Sequence, residues 1–331
     1  MVVLVTATLA GWEYFVRSKG FDHSYNDDGA LWADKRAMIY EPTDKATVFI
    51  GSSRIKFDLD IHTWEATTSD HAVQLACVGS SPVPVLKDLA ADPKFKGKLV
   101  IDVTEVLFFS TSPNNSESPE KNIKYYKEQT PAQRAGFHLN DFLETQLVLL
   151  DKDRLSLNAR LAYLHIPNRP GVFEEPIFPP DFGRVKFCRQ EYMTNRFLED
   201  TVQVNQIRGI WDFFRRMSKE PPASGPKLDS IMLSVKTAVD KIRSRGGKVI
   251  FVRTPSSGPF LMGEKMGYPR EKYWDRLLAE TQCPGIHFAD YPAIANMICP
   301  EYSHLSQQDA VVFTENLIKV LKEEKGWKFQ K

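Results

Sequence analysis

Net charge is almost absent from this chain of 331 residues, in which 43 Lys and Arg face 42 Asp and Glu. So balanced a surface exerts no bulk pull on nucleic acid or on an acidic membrane, and no nucleic-acid partner is expected. Cysteine is scarce: Cys77, Cys188, Cys283 and Cys299 are the four present, and none form a C-x-x-C pair. The common zinc-site and thioredoxin-like patterns are thereby missing. The chain has no G-x-G-x-x-G, no Walker loop and no H-E-x-x-H, which removes the usual nucleotide and zinc-protease motifs. Neither cofactor nor metal is expected. His23, His62, His71, His138, His165 and His287 have no metal-like neighbour at helical spacing and read as satisfied or exposed residues.

A long hydrophobic run is lacking too. The apolar stretch 1–12 stops at Glu13, whereas a bilayer-spanning helix needs about 20 such residues. It has no basic region before it, as a signal peptide has. Residues 1–20 fit either a helix packed on the body of the protein or a signal anchor whose upstream part is missing. The anchor is preferred, because Trp12, Tyr14 and Phe15 sit where an interfacial aromatic belt lies. Cys283 and Cys299 bracket the loop before His304; buried free thiols are expected there, with a disulfide as the alternative for an exported protein.

What is present reads as an ordinary globular chain, with 42% hydrophobic and 26% charged residues. Short β-branched and apolar runs at 47–51, 72–77, 98–103, 248–253 and 286–289 read as strands. Helical patterns at 83–91, 231–245, 270–281 and 307–322 fall between or after them. Continuous apolar strands alternating with helices predict an α/β fold: three layers, doubly wound, with a flavodoxin-like parallel sheet of about five strands. That domain, 45–331, is interrupted by 108–226, which is too long for a structureless loop. Helical signals at 140–150 and 195–217 make it a mostly helical insertion or cap, where substrate selection would reside.

In an open parallel sheet, ligands bind beyond the carboxyl ends of the strands. The first strand ends in Gly51-Ser52-Ser53-Arg54. Glycine permits a tight turn, and a serine between strand and helix presents its hydroxyl at that edge. The plainer reading of such a serine is a helix N-cap. Near the other end, Glu301 and His304 lie three apart on a loop before the last helix. A serine hydroxyl is a poor nucleophile until a neutral imidazole accepts its proton, and that imidazole needs an acceptor on its other nitrogen. Ser53, His304 and Glu301 are therefore candidates for nucleophile, base and orienting carboxylate. A lone E-x-x-H also arises by accident, and His304 could equally be a hydrogen-bonded surface residue.

Together these blocks resemble the SGNH (GDSL-like) hydrolase family. The run Val48-Phe49-Ile50-Gly51-Ser52-Ser53-Arg54 is similar to the family's first block in its G-S-S form, with Ser52 where many members have Asp. The run Glu301-Tyr302-Ser303-His304-Leu305-Ser306 is similar to the last block, with Glu in place of the usual Asp. Gly79 matches the family's glycine, whose N–H is implied to join the Ser53 N–H in an oxyanion hole. The family's asparagine after the third strand is not visible; the chain has Thr104 there, whose hydroxyl can donate. The likeness covers roughly 47–106 and 232–321. A looser one, in architecture, is to the membrane-anchored D-alanyl-transfer proteins of the teichoic-acid pathway.

The resemblance implies a serine ester hydrolase or O-acyltransferase, tethered outside the cytoplasm and acting on an acylated envelope polymer, glycan or small ester. The absent asparagine and the Glu-for-Asp exchange motivate the alternative of a degenerate member that binds a glycan or partner protein. Arg54 and Arg253 are candidate contacts for a substrate anion, although Arg54 fits equally an ion pair with Asp58 or Asp60. Phe213, Phe214, Tyr273 and Trp274 read as helical core residues.

Overall fold

The β-branched and apolar runs form strands because each has partners on both faces. The computed structural model describes residues 1–41, 45–162, 164, 169, 171–173, 176–218 and 220–329; His165 lies outside them. Strands β1 (Ala46–Ile50), β2 (His71–Gln74) and β3 (Lys98–Asp102) precede a two-stranded antiparallel hairpin of β4 (Arg184–Val185) and β5 (Glu191–Tyr192). After it come β6 (Lys248–Arg253) and β7 (Gly285–His287). The main sheet has five strands in the order β2-β1-β3-β6-β7, all parallel.

Strand periodicity sends neighbouring side chains to opposite faces. Val48, Ile50, Leu99 and Ile101 join one core cluster, while Phe49 and Val100 join another. The first cluster is closed by the helices Gly29–Ala37, Val83–Ala91, Pro226–Arg243 and Trp274–Thr281; the second by Ser53–Asp58, Ile61–Thr68 and Gln307–Glu323. This is the three-layer α/β architecture expected, with a flavodoxin-like strand order. The chain winds from β1 to β2 on one side and then to β3 on the other, which opens a crevice at the carboxyl ends of β1 and β3.

The insertion differs in detail from its reading. The helical signal at 195–217 splits at Asp200, whose side chain caps Thr201–Met217 by accepting from Val202 N and Gln203 N at 2.9 and 3.2 Å. In place of a helix over 140–150, Pro131–Glu144 starts at a Thr130/Gln133 capping box and a 3-10 turn follows at Val148–Leu150. Asn114–Glu128 packs on Gly29–Ala37 and Val83–Ala91. The remainder builds a third apolar cluster in which Phe182, Phe197, Ile207 and Ile210 meet Phe57 of the helix after β1. Part of the insertion therefore rests against the Ser53–Asp58 helix.

At the N-terminus, Val2–Ser18 is one helix with Val16 as its buried residue, and Met1 to Val5, Leu9, Trp12 and Phe15 carry exposed apolar surface. Glu13 fixes it to the body by accepting from Val148 N and Leu149 N at 3.0 and 2.9 Å. Among the described residues no helix is long and apolar enough to cross a membrane.

The turn after β1 depends on Gly51. A Cβ there would sit 2.5 Å from Asp102 Cβ and 2.7 Å from Ile55 Cγ2, so β1 approaches β3 too closely for any side chain. Gly51→Ala is expected to cost roughly 1–3 kcal/mol, as overpacking does. It should lower the urea midpoint without changing the slope; an unshifted midpoint would show that the turn yields freely.

Candidate active site

Ser52, and not Ser53, is the helix cap. It has extended backbone angles, and its Oγ accepts from Arg54 N at 3.3 Å. Ser53 is thus the first residue of the helix, its side chain free of capping duty, and its Oγ lies 2.8 Å from His304 Nε2. On the other side of the ring, His304 Nδ1 lies 2.9 Å from Glu301 Oε1. When Nδ1 donates to the carboxylate, Nε2 is left as acceptor for the Ser53 hydroxyl proton. The structure brings together all three residues that the sequence nominated, across a separation of 251 positions.

The Glu301 carboxylate is wholly buried, and its donors come from two directions. Oε1 also accepts from His304 N at 2.6 Å and Ser303 N at 3.3 Å, and Oε2 accepts from the Trp211 indole N–H. Tyr302, between the two residues, has φ 82, a left-handed conformation that is costly for a bulky side chain, of order 1–3 kcal/mol. It turns the loop so that His304 N and its ring both face Glu301. Phe57, Phe182 and Trp211 surround the imidazole, with ring centroids 4.4, 5.9 and 6.0 Å away. His304 is buried, whereas Ser53 is only partly so.

The two backbone N–H groups expected to serve as donors lie on the turns that follow β1 and β2. The Ser53 N–H is the first of its helix and has no intrahelical partner. Gly79 is exposed, with φ 62 and nothing within 4 Å of where a Cβ would stand. Its loop is tied to the turn that carries Ser53 by Cys77 N, which donates to Gly51 O at 3.1 Å. Neither N–H has a protein acceptor among the described residues.

Thr104 does not fill the third donor position expected of it. Its Oγ1 lies 3.0 Å from Asp102 Oδ2 and 2.7 Å from Ser52 Oγ, and Ser52 Oγ is itself 3.2 Å from Asp102 Oδ2. Whichever hydroxyl donates to the other, the one proton of Thr104 points into this buried network.

Arg54 and Arg253 are also corrected as substrate contacts, being 1% and 2% exposed. Both pair with Glu264, and Arg253 also reaches Glu105 at 2.8 Å. A buried guanidinium needs a buried carboxylate, and that partner lies on Gly258–Gly267, a helix whose Gly-Pro opening and three glycines gave no helical signal. Burial pushes Glu264 upward, but Arg253 and Arg54 outweigh it and hold the carboxyl at about 2. Arg54 forms no ion pair with either alternative partner: Asp60 caps Ile61–Thr68, and Asp58 Oδ1 accepts from Leu305 N at 2.9 Å.

Trp211 is a site residue that sequence reasoning missed; 90 positions separate it from Glu301, so no local spacing marks it. Phe213 and Phe214 are only partly covered, unlike the buried Tyr273 and Trp274. All four cysteines are free thiols, and no group of three metal-ligating side chains occurs among the described residues.

Neither a protein-family model nor a curated protein matches this chain. The chemistry of the site rests on its own geometry.

Asp58 adds a pH dependence to that geometry. Burial raises its carboxyl to about 7 against the opposing pull of His304 and the Leu305 N–H, and its Oδ2 has no partner among the described residues. The folded form therefore holds a proton more readily than the unfolded chain between about 3.8 and about 7, and stability falls as pH rises through that window. Asp58→Asn keeps an acceptor for Leu305 N but removes the titration. Its Tm relative to wild type is expected to be higher at about pH 8 than at about pH 5; a pH-independent difference would refute the assignment.

Proposed function

We propose that the chain is a serine-dependent ester hydrolase or O-acyltransferase with Ser53 as nucleophile, His304 as base and Glu301 as the orienting carboxylate. The observation that carries the reading is the unbroken hydrogen-bond chain from Ser53 Oγ through the imidazole to Glu301. Ser53 Oγ attacks the ester carbonyl carbon as its proton passes to His304 Nε2. Negative charge on the carbonyl oxygen is met by the N–H groups of Ser53 and Gly79. Collapse of the tetrahedral intermediate breaks the ester C–O bond, and the leaving alkoxide takes the proton back from His304. Water then attacks the acyl-enzyme in a hydrolase; a hydroxyl of a sugar or polymer does so in a transferase.

The strand order, the place of Ser53 after β1 and the late E-x-x-H support membership of the SGNH-like hydrolases. An acylated envelope polymer, glycan or small ester is the substrate class we propose, outside the cytoplasm. The exposed apolar surface of Val2–Ser18 favours a membrane tether at that end. One observation favours a second reading, a binding protein without chemistry: with Thr104 engaged by Asp102 and Ser52, two donors remain for an oxyanion. Loss of a single donor can cost about a hundred- to a thousandfold in rate.

A fluorophosphonate probe separates the two. The wild-type chain is expected to be labelled at Ser53, Ser53→Ala to be unlabelled, and His304→Ala to react at least about a hundredfold more slowly. A folded wild-type protein that resists the probe would favour the binding reading.

A further inference from the structure

The insertion helix Thr201–Met217 grips the loop that carries Glu301 and His304 at three points. Arg208 donates from Nε and Nη2 to Pro300 O at 3.2 and 2.6 Å. Its guanidinium also lies 4.5 Å over the ring of Tyr302, the residue with positive φ. One turn further along the same helix face, Trp211 donates its indole N–H to Glu301 Oε2. The three contacts fall on consecutive residues, Pro300, Glu301 and Tyr302, and all come from a segment outside the parallel sheet.

A glutamate has one more rotatable bond than an aspartate and can present either oxygen to a neighbour. Here Trp211 occupies Oε2, so that Oε1 is the oxygen left to face His304 Nδ1. We infer that Trp211 is a positioning residue for the proposed Ser53–His304–Glu301 relay, seated by Arg208, and that the insertion thereby sets the strength of the base as well as covering it. The inference rests on that reading of the triad.

Two physical effects follow from the single N–H. It fixes the carboxylate plane, which keeps the imidazole aligned with Ser53 Oγ. It also disperses the carboxylate charge, so Glu301 stabilises an imidazolium less than a carboxylate free of that donor would. Trp211 packs against Phe178, Phe182, Phe214 and Phe260, so phenylalanine at this position keeps an aromatic ring among them and removes the donor. Asp58 and Arg54 from the helix after β1, Arg208 from the insertion and Cys299 from the same loop also surround the pair. The substitution leaves all four in place.

The test follows fluorophosphonate labelling of the full chain against pH in wild type, Trp211→Phe, Glu301→Asp and the double variant. Trp211→Phe is expected to lower the plateau rate on the order of tenfold, the effect of losing a hydrogen bond to a charged group. It should also move the midpoint of the profile to higher pH, because the less dispersed carboxylate favours the protonated ring. In the Glu301→Asp background, where the shorter side chain cannot reach the indole while still holding His304, the same change should add little. Equal losses in both backgrounds, or a lower plateau with an unmoved midpoint, would mean that Trp211 acts by packing alone and would overturn the inference. A labelled wild type with an unchanged Trp211→Phe overturns it while sparing the triad. An unlabelled wild type overturns both.

Discussion

A wholly buried carboxylate needs a donor for each of its oxygens, and around Glu301 that requirement organises the site. Its four hydrogen bonds come from His304 N, His304 Nδ1, Ser303 N and the Trp211 indole. The two backbone donors close the loop on itself, at the cost of a left-handed Tyr302. The imidazole bond sets the ring that reaches Ser53. The indole ties in a helix that begins a hundred residues earlier in the chain. Each contact is modest in net terms, on the order of 1.5–3 kcal/mol for a bond to a charged group, but losing any one would leave part of a buried carboxylate without a donor.

Behind this loop, the carboxyl edge of the sheet is held by ions rather than by apolar packing. Arg54 follows β1, Arg253 ends β6, and both converge on Glu264, with Glu105 after β3 as a further partner. Replacing such a cluster by apolar side chains of similar volume is often neutral or stabilising, whereas removing one member strands the others. Its value here is geometric: three strand ends and one helix are locked in a single arrangement, and Arg54 passes that arrangement to the loop of Glu301 and His304 through Ser303 Oγ at 3.3 Å. The hydroxyls of Ser52 and Thr104 do the same between β1 and β3 by converging on Asp102.

How much of this was legible in the sequence follows from the range of the forces involved. The five strands of the sheet were readable because burial on both faces demands runs such as 47–50 and 248–253, which local composition reveals. The hairpin of β4 and β5 was not, since two residues per strand give no period to detect. Ser53, Glu301 and His304 were legible by position: one follows a strand, the others sit together before the last helix. Arg54 and Arg253 were placed at the correct rim but given the wrong partners, because the helix that carries Glu264 opens on Gly258-Pro259 and has weak helical propensity. Thr104 was placed correctly as well; what the sequence does not encode is that Ser52, a neighbour only after folding, would share its proton. Trp211 carried no signal, because nothing in an indole announces a carboxylate 90 positions away.

On the proposed chemistry, both remaining oxyanion donors are main-chain groups, and this shifts the burden of precision onto residues that never touch substrate. A side-chain donor can adjust by rotation, but an N–H points where its backbone points. The Ser53 N–H is aimed by the Ser52 cap and by the absence of a Cβ at Gly51. The Gly79 N–H is aimed by a φ of 62, which few residues besides glycine adopt, and by the Cys77–Gly51 hydrogen bond that docks its loop. Without an adjustable third donor, errors of a few tenths of an ångström in either turn pass directly to the transition state. Beneath the first of those turns, Ser52 N, Ser52 Oγ and Thr104 Oγ1 all converge on Asp102 Oδ2 and so tie the residue before Ser53 to the end of β3.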